Sequence, residues 1–396
     1  MRKVLLPATL TLALVCATTL SAQERCRPAP EALTVLNPCE GDARLSVMAV
    51  GDVLLHRALQ WRGYAHGFDT IWGAARPYFQ GADLVVANLE GPTAPGLARG
   101  GRRVADPGAV LDDVVYTGYP QFNYHPSVID DLRAAGVSLV TTANNHALDR
   151  GSAGVTATIA ELDRRGMAHT GTIAAGAPRD FATRIDTALG TLAFIGCSYD
   201  TNGIADPHRQ VLLCHRGRDE LLALVRAETA RGAGVIVLPH WGQEYSHQPT
   251  QAQRALARDL VAAGSIAVIG THPHVVQPFA LHDGPGGQAL VAYSTGNFVS
   301  AQVSLPRATG IGVWAEICTG PGGGPRLAGA GYLPLRMDFA GAGPVLRFPG
   351  ADATGPDAQA RALAARIIPG FDLAEDVDCA GPRPPPVAAP GPNRGP

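Results

Sequence analysis

The chain has 396 residues, 46% of them hydrophobic and 17% charged, with a formal net charge of -2. That length supports one large domain or two smaller ones. The balanced charge, with no basic patch interleaved with aromatics, argues against nucleic acid as a partner.

At the start, Met1-Arg2-Lys3 is basic, Val4 to Leu20 is apolar, and Ser21-Ala22-Gln23 is small and polar. This order reads as a secretory signal peptide over residues 1–23, cleaved near Ala22 or Gln23, and implies a periplasmic or secreted protein. The alternative is an uncleaved N-terminal anchor, for which the run is short. Val15 before Cys16 argues against lipidation. Export fits the cysteines. Once Cys16 leaves with the signal, Cys26, Cys39, Cys197, Cys214, Cys318 and Cys379 remain. Loop closure costs least between neighbours, which predicts Cys26–Cys39, Cys197–Cys214 and Cys318–Cys379. No C-x-x-C pair is present, so a thiolate metal site is not expected.

Residues 24–43 carry prolines and read as an irregular leader; the folded domain is expected over 44–379. Apolar runs predict strands at 45–50, 83–88, 136–142, 191–197, 234–238, 266–270, 289–294 and 311–317. Between them, Val128/Ile129/Leu132, Val155/Ile159/Leu162 and Leu221/Leu222/Val225 recur at helical spacing. Thr250-Gln251-Ala252-Gln253 has the form of a capping box ahead of Leu256 and Leu260. Strands alternating with helices predict an α/β fold. Residues 380–396, rich in Pro, Gly and Ala, read as a disordered tail.

Polar residues gather just after the strands, where open α/β sheets place their sites. Asp52 closes the first strand. Asn88 and Glu90 are two apart, so an extended backbone points both the same way. Asn144-Asn145-His146 ends a third apolar run, and an amide oxygen there could ligate a metal while the adjacent His acts on a substrate. His240 and Glu244 follow another strand. In Gly270-Thr271-His272-Pro273-His274 two imidazoles at i and i+2 share one face of an extended segment, with Pro273 favouring an extended residue before it. Asn297 lies on a final rim segment, Tyr293 to Phe298. Each group alone could be a capped turn or a structural histidine. Together they form a mixed N/O set, too nitrogen-rich for calcium or magnesium alone and lacking the thiolates of structural zinc. Such a set suits two divalent transition metals: manganese, zinc or iron.

These stretches resemble the CapA family, named for poly-γ-glutamate capsule synthesis. The matching segments are Val50 to His56, Ala87 to Glu90, Thr142 to His146, His240 to Tyr245, Gly270 to His274 and Tyr293 to Phe298. The family is similar in turn to calcineurin-like metallophosphoesterases, which implies a two-sheet sandwich flanked by helices. By that resemblance Asp52 and His274 serve a first metal, Glu90 bridges, and Asn145, His240 and His272 serve a second. His146 takes the role of a catalytic histidine. His56, Asn88, Asn144, Glu244 and Asn297 fall to supporting or substrate-facing roles. Two departures stand out: Leu54 replaces the histidine usual two residues after the first Asp, with His56 offering a substitute from the next turn, and Glu90 replaces an Asp. The implied substrate is an anionic envelope polymer or a phosphate ester, hydrolysed by phosphoesterase-like or γ-glutamyl amidohydrolase chemistry. The implied partner is a membrane capsule synthase complex. The alternative is a non-catalytic, metal-dependent polymer-binding component of such a complex.

Overall fold

The computed structural model describes residues 24–341 and 343–380. The expected signal peptide and most of the expected tail lie outside these residues. Among the described residues the strands form a nine-stranded sheet, a six-stranded sheet and a two-stranded ribbon. In the larger sheet, Glu40–Val53, Leu84–Leu89, Leu139–Thr141 and Ala168–Thr170 run parallel. Thr309–Thr319 and Pro325–Asp338 extend it antiparallel on the other side of Glu40–Val53. In the smaller sheet, Gly190–Ser198, Gly234–His240, Ser265–Ile269 and Gly287–Ala292 run parallel, with antiparallel strands at both edges.

Side-chain alternation explains how the sheets stack. Val47 and Ala49 point into a core shared with Phe194, Ile236, Leu238, Ile269, Ile311 and Val313, which fills the space between the two sheets. Their neighbours Met48 and Val50 point the opposite way, against Leu59, Trp72, Phe79 and Leu132 on helices Arg57–His66, Asp69–Trp72, Arg76–Gly81 and Ser127–Ala135. On the smaller sheet, Ala193, Ile195, Val235 and Val237 face outward onto Leu221, Val225, Leu256 and Leu260 of helices Arg218–Ala230 and Gln251–Ala262. Both faces of both sheets are therefore buried, each large apolar side chain contributing about 1.5–3 kcal/mol. The result is the expected α/β architecture: a two-sheet sandwich with helices on its outer faces. The Thr250 capping box forms as read, with Gln253 closing it.

Two expectations are corrected and one strand is added. Residues 24–43 are not an irregular leader: they carry strands Arg25–Pro28 and Thr34–Val35 and the start of Glu40–Val53. The disulfides are Cys26–Cys379, Cys39–Cys318 and Cys197–Cys214. Only the last matches the neighbour pairing. Arg25–Pro28 lies antiparallel to Val377–Ala380 with Cys26 opposite Cys379, and the Glu40 strand lies beside Thr309–Thr319, which brings Cys39 to Cys318. Loop-closure entropy grows only logarithmically with length, so sheet register overrides it. Finally, the fourteen-residue strand Pro325–Asp338 has no counterpart in the sequence reading. Its Gly329, Gly331 and Pro334 disguise the apolar run. Pro334 is tolerated because it lies between the segments of the strand's outer edge that are paired, at Gly329–Ala330 and Arg336–Asp338.

Candidate functional site

Both parallel strand sets end at the same place, and the chemistry-bearing residues lie on those ends. Glu40–Val53 shifts register against Leu84–Leu89 between Ala49 and Asp52, an irregularity of the kind that re-aims a side chain. Gly51 allows the rim segment to close over it, since a Cβ there would stand 1.8 Å from the Gly296 carbonyl oxygen. Asp52 is consequently fully buried, as are Glu90 and His240. Gly270 plays a similar part, a Cβ there falling 2.2 Å from the Tyr293 carbonyl oxygen.

Asp52, Glu90 and His240 each present a ligand atom, all within 4.8 Å of one another. This buried group can hold a metal ion. His240 Nε2 lies 2.9 Å from Asn145 Oδ1 and 3.5 Å from Glu90 Oε1. His240 Nδ1 lies 2.9 Å from Thr271 Oγ1; a proton donated to that hydroxyl leaves the Nε2 lone pair facing Glu90 and Asn145. On the other side, His274 Nδ1 lies 3.1 Å from Asp52 Oδ2 and 3.0 Å from Asn297 Oδ1, while its Nε2 is 3.9 Å from Glu90 Oε1. His272 sits between, its ring centroid 4.8 Å from that of His240 and 6.0 Å from that of His274. Both Glu90 oxygens and His272 Nδ1 are buried without a hydrogen-bond partner.

The two histidines converge by a different route from the one expected. His272 has φ 97 and His274 φ 56. The backbone is therefore left-handed at both rather than extended, a conformation uncommon for non-glycine residues and concentrated at functional sites.

Supporting amides link the strand ends. Asn88 Nδ2–H donates to Asp52 Oδ1 at 2.7 Å, and Asn144 Nδ2–H donates to Asn88 Oδ1 at 3.2 Å and to the Leu89 carbonyl at 2.8 Å. The Tyr124 hydroxyl donates to the Glu90 carbonyl, fixing that backbone. Burial alone would push the Glu90 carboxyl up, but the imidazoles of His274 and His240 hold it well below the usual carboxylate range. Burial would lower His274, yet Glu90 and Asp52 push it up to about 9. Burial, with His240 and His274 alongside, pushes His272 far down.

His146 faces the site from another wall. Its Nδ1 lies 2.8 Å from Asp149 Oδ2, and its ring stands edge-on to Phe122 with centroids 4.8 Å apart. Burial lowers its pKa, but the Asp149 carboxylate, together with Glu90, raises it above the ordinary value. His56 also packs on Phe122, centroids 5.7 Å apart, and its Nδ1 lies 3.2 Å from the Leu54 carbonyl oxygen and 3.3 Å from the Ala301 nitrogen. It is outside the Asp52–Glu90–His240 group. Leu54 is buried in the apolar core. Glu244 is exposed, beside the Tyr245 hydroxyl.

Several residues at the site escaped the sequence reading. Asp149 had a signal, a carboxylate three residues after His146 in a turn. Phe122, Tyr199 and Asn202 had none. Tyr199 packs on His272 with centroids 4.3 Å apart. Asn202, at φ 50, receives Asn145 Nδ2–H on its Oδ1 at 3.2 Å and sets its own Nδ2 3.4 Å from His146 Nδ1.

The family described as bacterial capsule synthesis protein PGA_cap matches residues 46–302, which span every one of these site residues. The chain belongs to this family. Among curated relatives, the PGA biosynthesis protein CapA of Bacillus subtilis is 27% identical over 277 residues, covering 66% of this chain and 64% of its own length. The capsule biosynthesis protein CapA of Bacillus anthracis is 26% identical, over 65% of this chain and 60% of its own length. The chain thus spans less than two thirds of these relatives. Among solved structures, a hypothetical protein from Thermus thermophilus aligns at 20% identity and a TM-score of 0.41, covering 73% of this chain and 99% of its own.

Proposed function

We propose that this protein is an exported, metal-dependent hydrolase acting on an anionic envelope polymer of the poly-γ-glutamate kind during its synthesis or processing. Asp52 and His274 would hold one divalent transition metal (manganese, zinc or iron), Asn145, His240 and His272 a second, with Glu90 shared between them. The observation that carries this reading is Glu90. It is a fully buried carboxylate, neither oxygen of which has a hydrogen-bond donor, with two histidine nitrogens facing it. A buried charge so placed is costly unless cations accompany it, and the donor set around it fits transition metals. The family's capsule-synthesis description and the names of the Bacillus relatives support the polymer as substrate class.

When bound, such a metal pair polarises a substrate oxygen and lowers the pKa of water. The chain's own contributions follow from its geometry. Asp149 keeps His146 in one orientation, and His146 would hold a proton for the leaving group. Asn202 and Asn145 brace each other beside it. Phe122 and Tyr199 exclude water from the two histidine walls.

A second reading, a non-catalytic polymer-binding component of a membrane synthase complex, is favoured by one observation. Leu54 places an apolar core residue where the wider superfamily usually has a ligand, and His56 Nδ1 is committed to backbone contacts. Protein reconstituted with manganese, zinc or iron and offered phosphomonoesters, phosphodiesters and γ-glutamyl polymers separates the two. Turnover supports the hydrolase, and polymer binding without turnover supports the second reading. Absence of both turnover and binding sinks both readings. Among the described residues no helix is long and apolar enough to cross a membrane. The proposed export is checked by sequencing the mature N-terminus, which should begin near Ala22 to Glu24.

A further inference from the structure

Tyr245 stands at the mouth of the site, 47% exposed, in the left-handed backbone region at φ 64. A tyrosine seldom adopts that conformation, and such outliers cluster where the surrounding structure imposes them for function. What imposes it here is the ligand segment. The Tyr245 N–H donates to the Pro273 carbonyl at 2.7 Å, between His272 and His274. Its ring centroid lies 6.1 Å from that of His274. The Arg307 guanidinium rests over the Tyr245 ring, 4.5 Å from its centroid. Arg307 is indexed to the same segment by a second path: its carbonyl accepts Asn297 Nδ2–H at 2.9 Å, and Asn297 Oδ1 lies 3.0 Å from His274 Nδ1.

Several arginines of the chain pair with carboxylates, among them Arg57 with Asp113, Arg184 with Glu228, Arg336 with Asp357 and Arg361 with Asp372, while Arg254 rests over the Tyr293 ring. Among the described residues Arg307 makes no ion pair, its guanidinium meeting only the Tyr245 face. A guanidinium resting over an aromatic face still offers N–H donors to a carboxylate or phosphate.

We infer that Arg307, braced on Tyr245, is an anion subsite beside the metal-binding cluster that takes a free α-carboxylate of a γ-glutamyl chain. This rests on the polymer reading of the site. The position of the subsite discriminates between substrates. A phosphomonoester carries its anion at the reacting centre. An anion site at Arg307, whose guanidinium meets Tyr245 and is not part of the Asp52–Glu90–His240 group, serves a substrate with a second negative group. A polyanion supplies one at every repeat.

The test uses full-length protein, wild type, Arg307→Gln and Arg307→Lys, each with its melting temperature measured. The probes are a fluorescent γ-linked glutamate oligomer and inorganic phosphate, read by equilibrium binding. Arg307→Gln should weaken the oligomer roughly ten- to a hundredfold while phosphate changes by no more than about twofold, and Arg307→Lys should recover only part of the loss. Unchanged oligomer affinity in Arg307→Gln overturns the inference alone. An equal loss on phosphate also overturns it, by assigning Arg307 to the reacting centre. Should Arg307→Gln melt early, Arg307→Lys decides: full wild-type affinity there overturns the bidentate contact. Wild-type protein that ignores the oligomer overturns both this inference and the polymer reading.

Discussion

Asp149 Oδ2 lies 2.8 Å from His146 Nδ1 and at the same time accepts the Phe122 N–H at 2.6 Å. One buried carboxylate oxygen thus orients the histidine and pins the ring that packs against it. Neutralising it leaves the shape and removes the orienting charge. Asp149→Asn is expected to retain metal and fold while turnover drops roughly ten- to a hundredfold, part of what a positioned acid–base histidine supplies. Steady-state kinetics with metal analysis on the same samples is the measurement. Wild-type turnover in this variant would reduce Asp149 to a loop anchor.

Adjacent residues Asn145 and His146 should separate metal binding from proton transfer. Asn145 Oδ1 is 2.9 Å from His240 Nε2, whereas the His146 ring is turned toward Phe122 and Asp149. His146→Ala is expected to keep its metals and lose roughly a hundred- to ten-thousandfold in turnover. Asn145→Ala is expected to lower metal occupancy first. Elemental analysis alongside kinetics reads both, and the reverse pattern would exchange the two assignments.

Much of this site is written in the chain because each buried strand ends at a polar residue. Leu45 to Val50 is apolar and Asp52 follows; Leu84 to Ala87 is apolar, and Asn88 and Glu90 follow. Parallel strands put those ends on one edge, so position along the sequence becomes position in space. What could not be read depends on partners that only folding brings together. His272 and His274 converge through left-handed turns that no local rule anticipates. Asn202 comes from a loop 57 residues from Asn145. The strand Pro325–Asp338 hides behind its glycines and proline, and Cys26–Cys379 and Cys39–Cys318 answer to sheet register rather than to proximity in sequence.

Glu90 makes the metal dependence visible without a substrate. Its two oxygens have no hydrogen-bond donor in their buried site, so cations that fit there stabilise the folded state over the unfolded chain by mass action. Adding manganese, zinc or iron to chelator-treated protein is expected to raise the melting temperature by on the order of 5 °C at saturating metal. Glu90→Gln should lose most of that increment. A wild-type melting curve indifferent to all three metals would count against the cluster as a metal site, as would Glu90→Gln gaining as much as wild type.

The long-range disulfides give the last prediction. Cys26 and Cys379 face each other across the antiparallel ribbon of Arg25–Pro28 and Val377–Ala380, and Cys39 meets Cys318 where the Glu40 strand runs beside Thr309–Thr319. Their sequence separations are 353 and 279 residues, against 17 for Cys197–Cys214. In the chain-entropy account a cross-link restrains the unfolded chain more as the loop lengthens, though only logarithmically, with typical values of about 2–4 kcal/mol. Cys26–Cys379 closes nearly the whole described chain into one covalent loop. Its removal in Cys26→Ser/Cys379→Ser is expected to lower the melting temperature by several degrees and to loosen Arg25–Pro28 first, the strand that this cross-link ties to Val377–Ala380. The Asp52–Glu90–His240 group, seated on other strands, should keep its metal in that variant. Non-reducing peptide mapping of the purified protein checks the connectivity directly. Peptides joining Cys26 to Cys379 and Cys39 to Cys318 are the expected result. A Cys26–Cys39 peptide would mean that the N-terminal strand is not seated on the C-terminal one, and the sheet register at both sites would have to be redrawn.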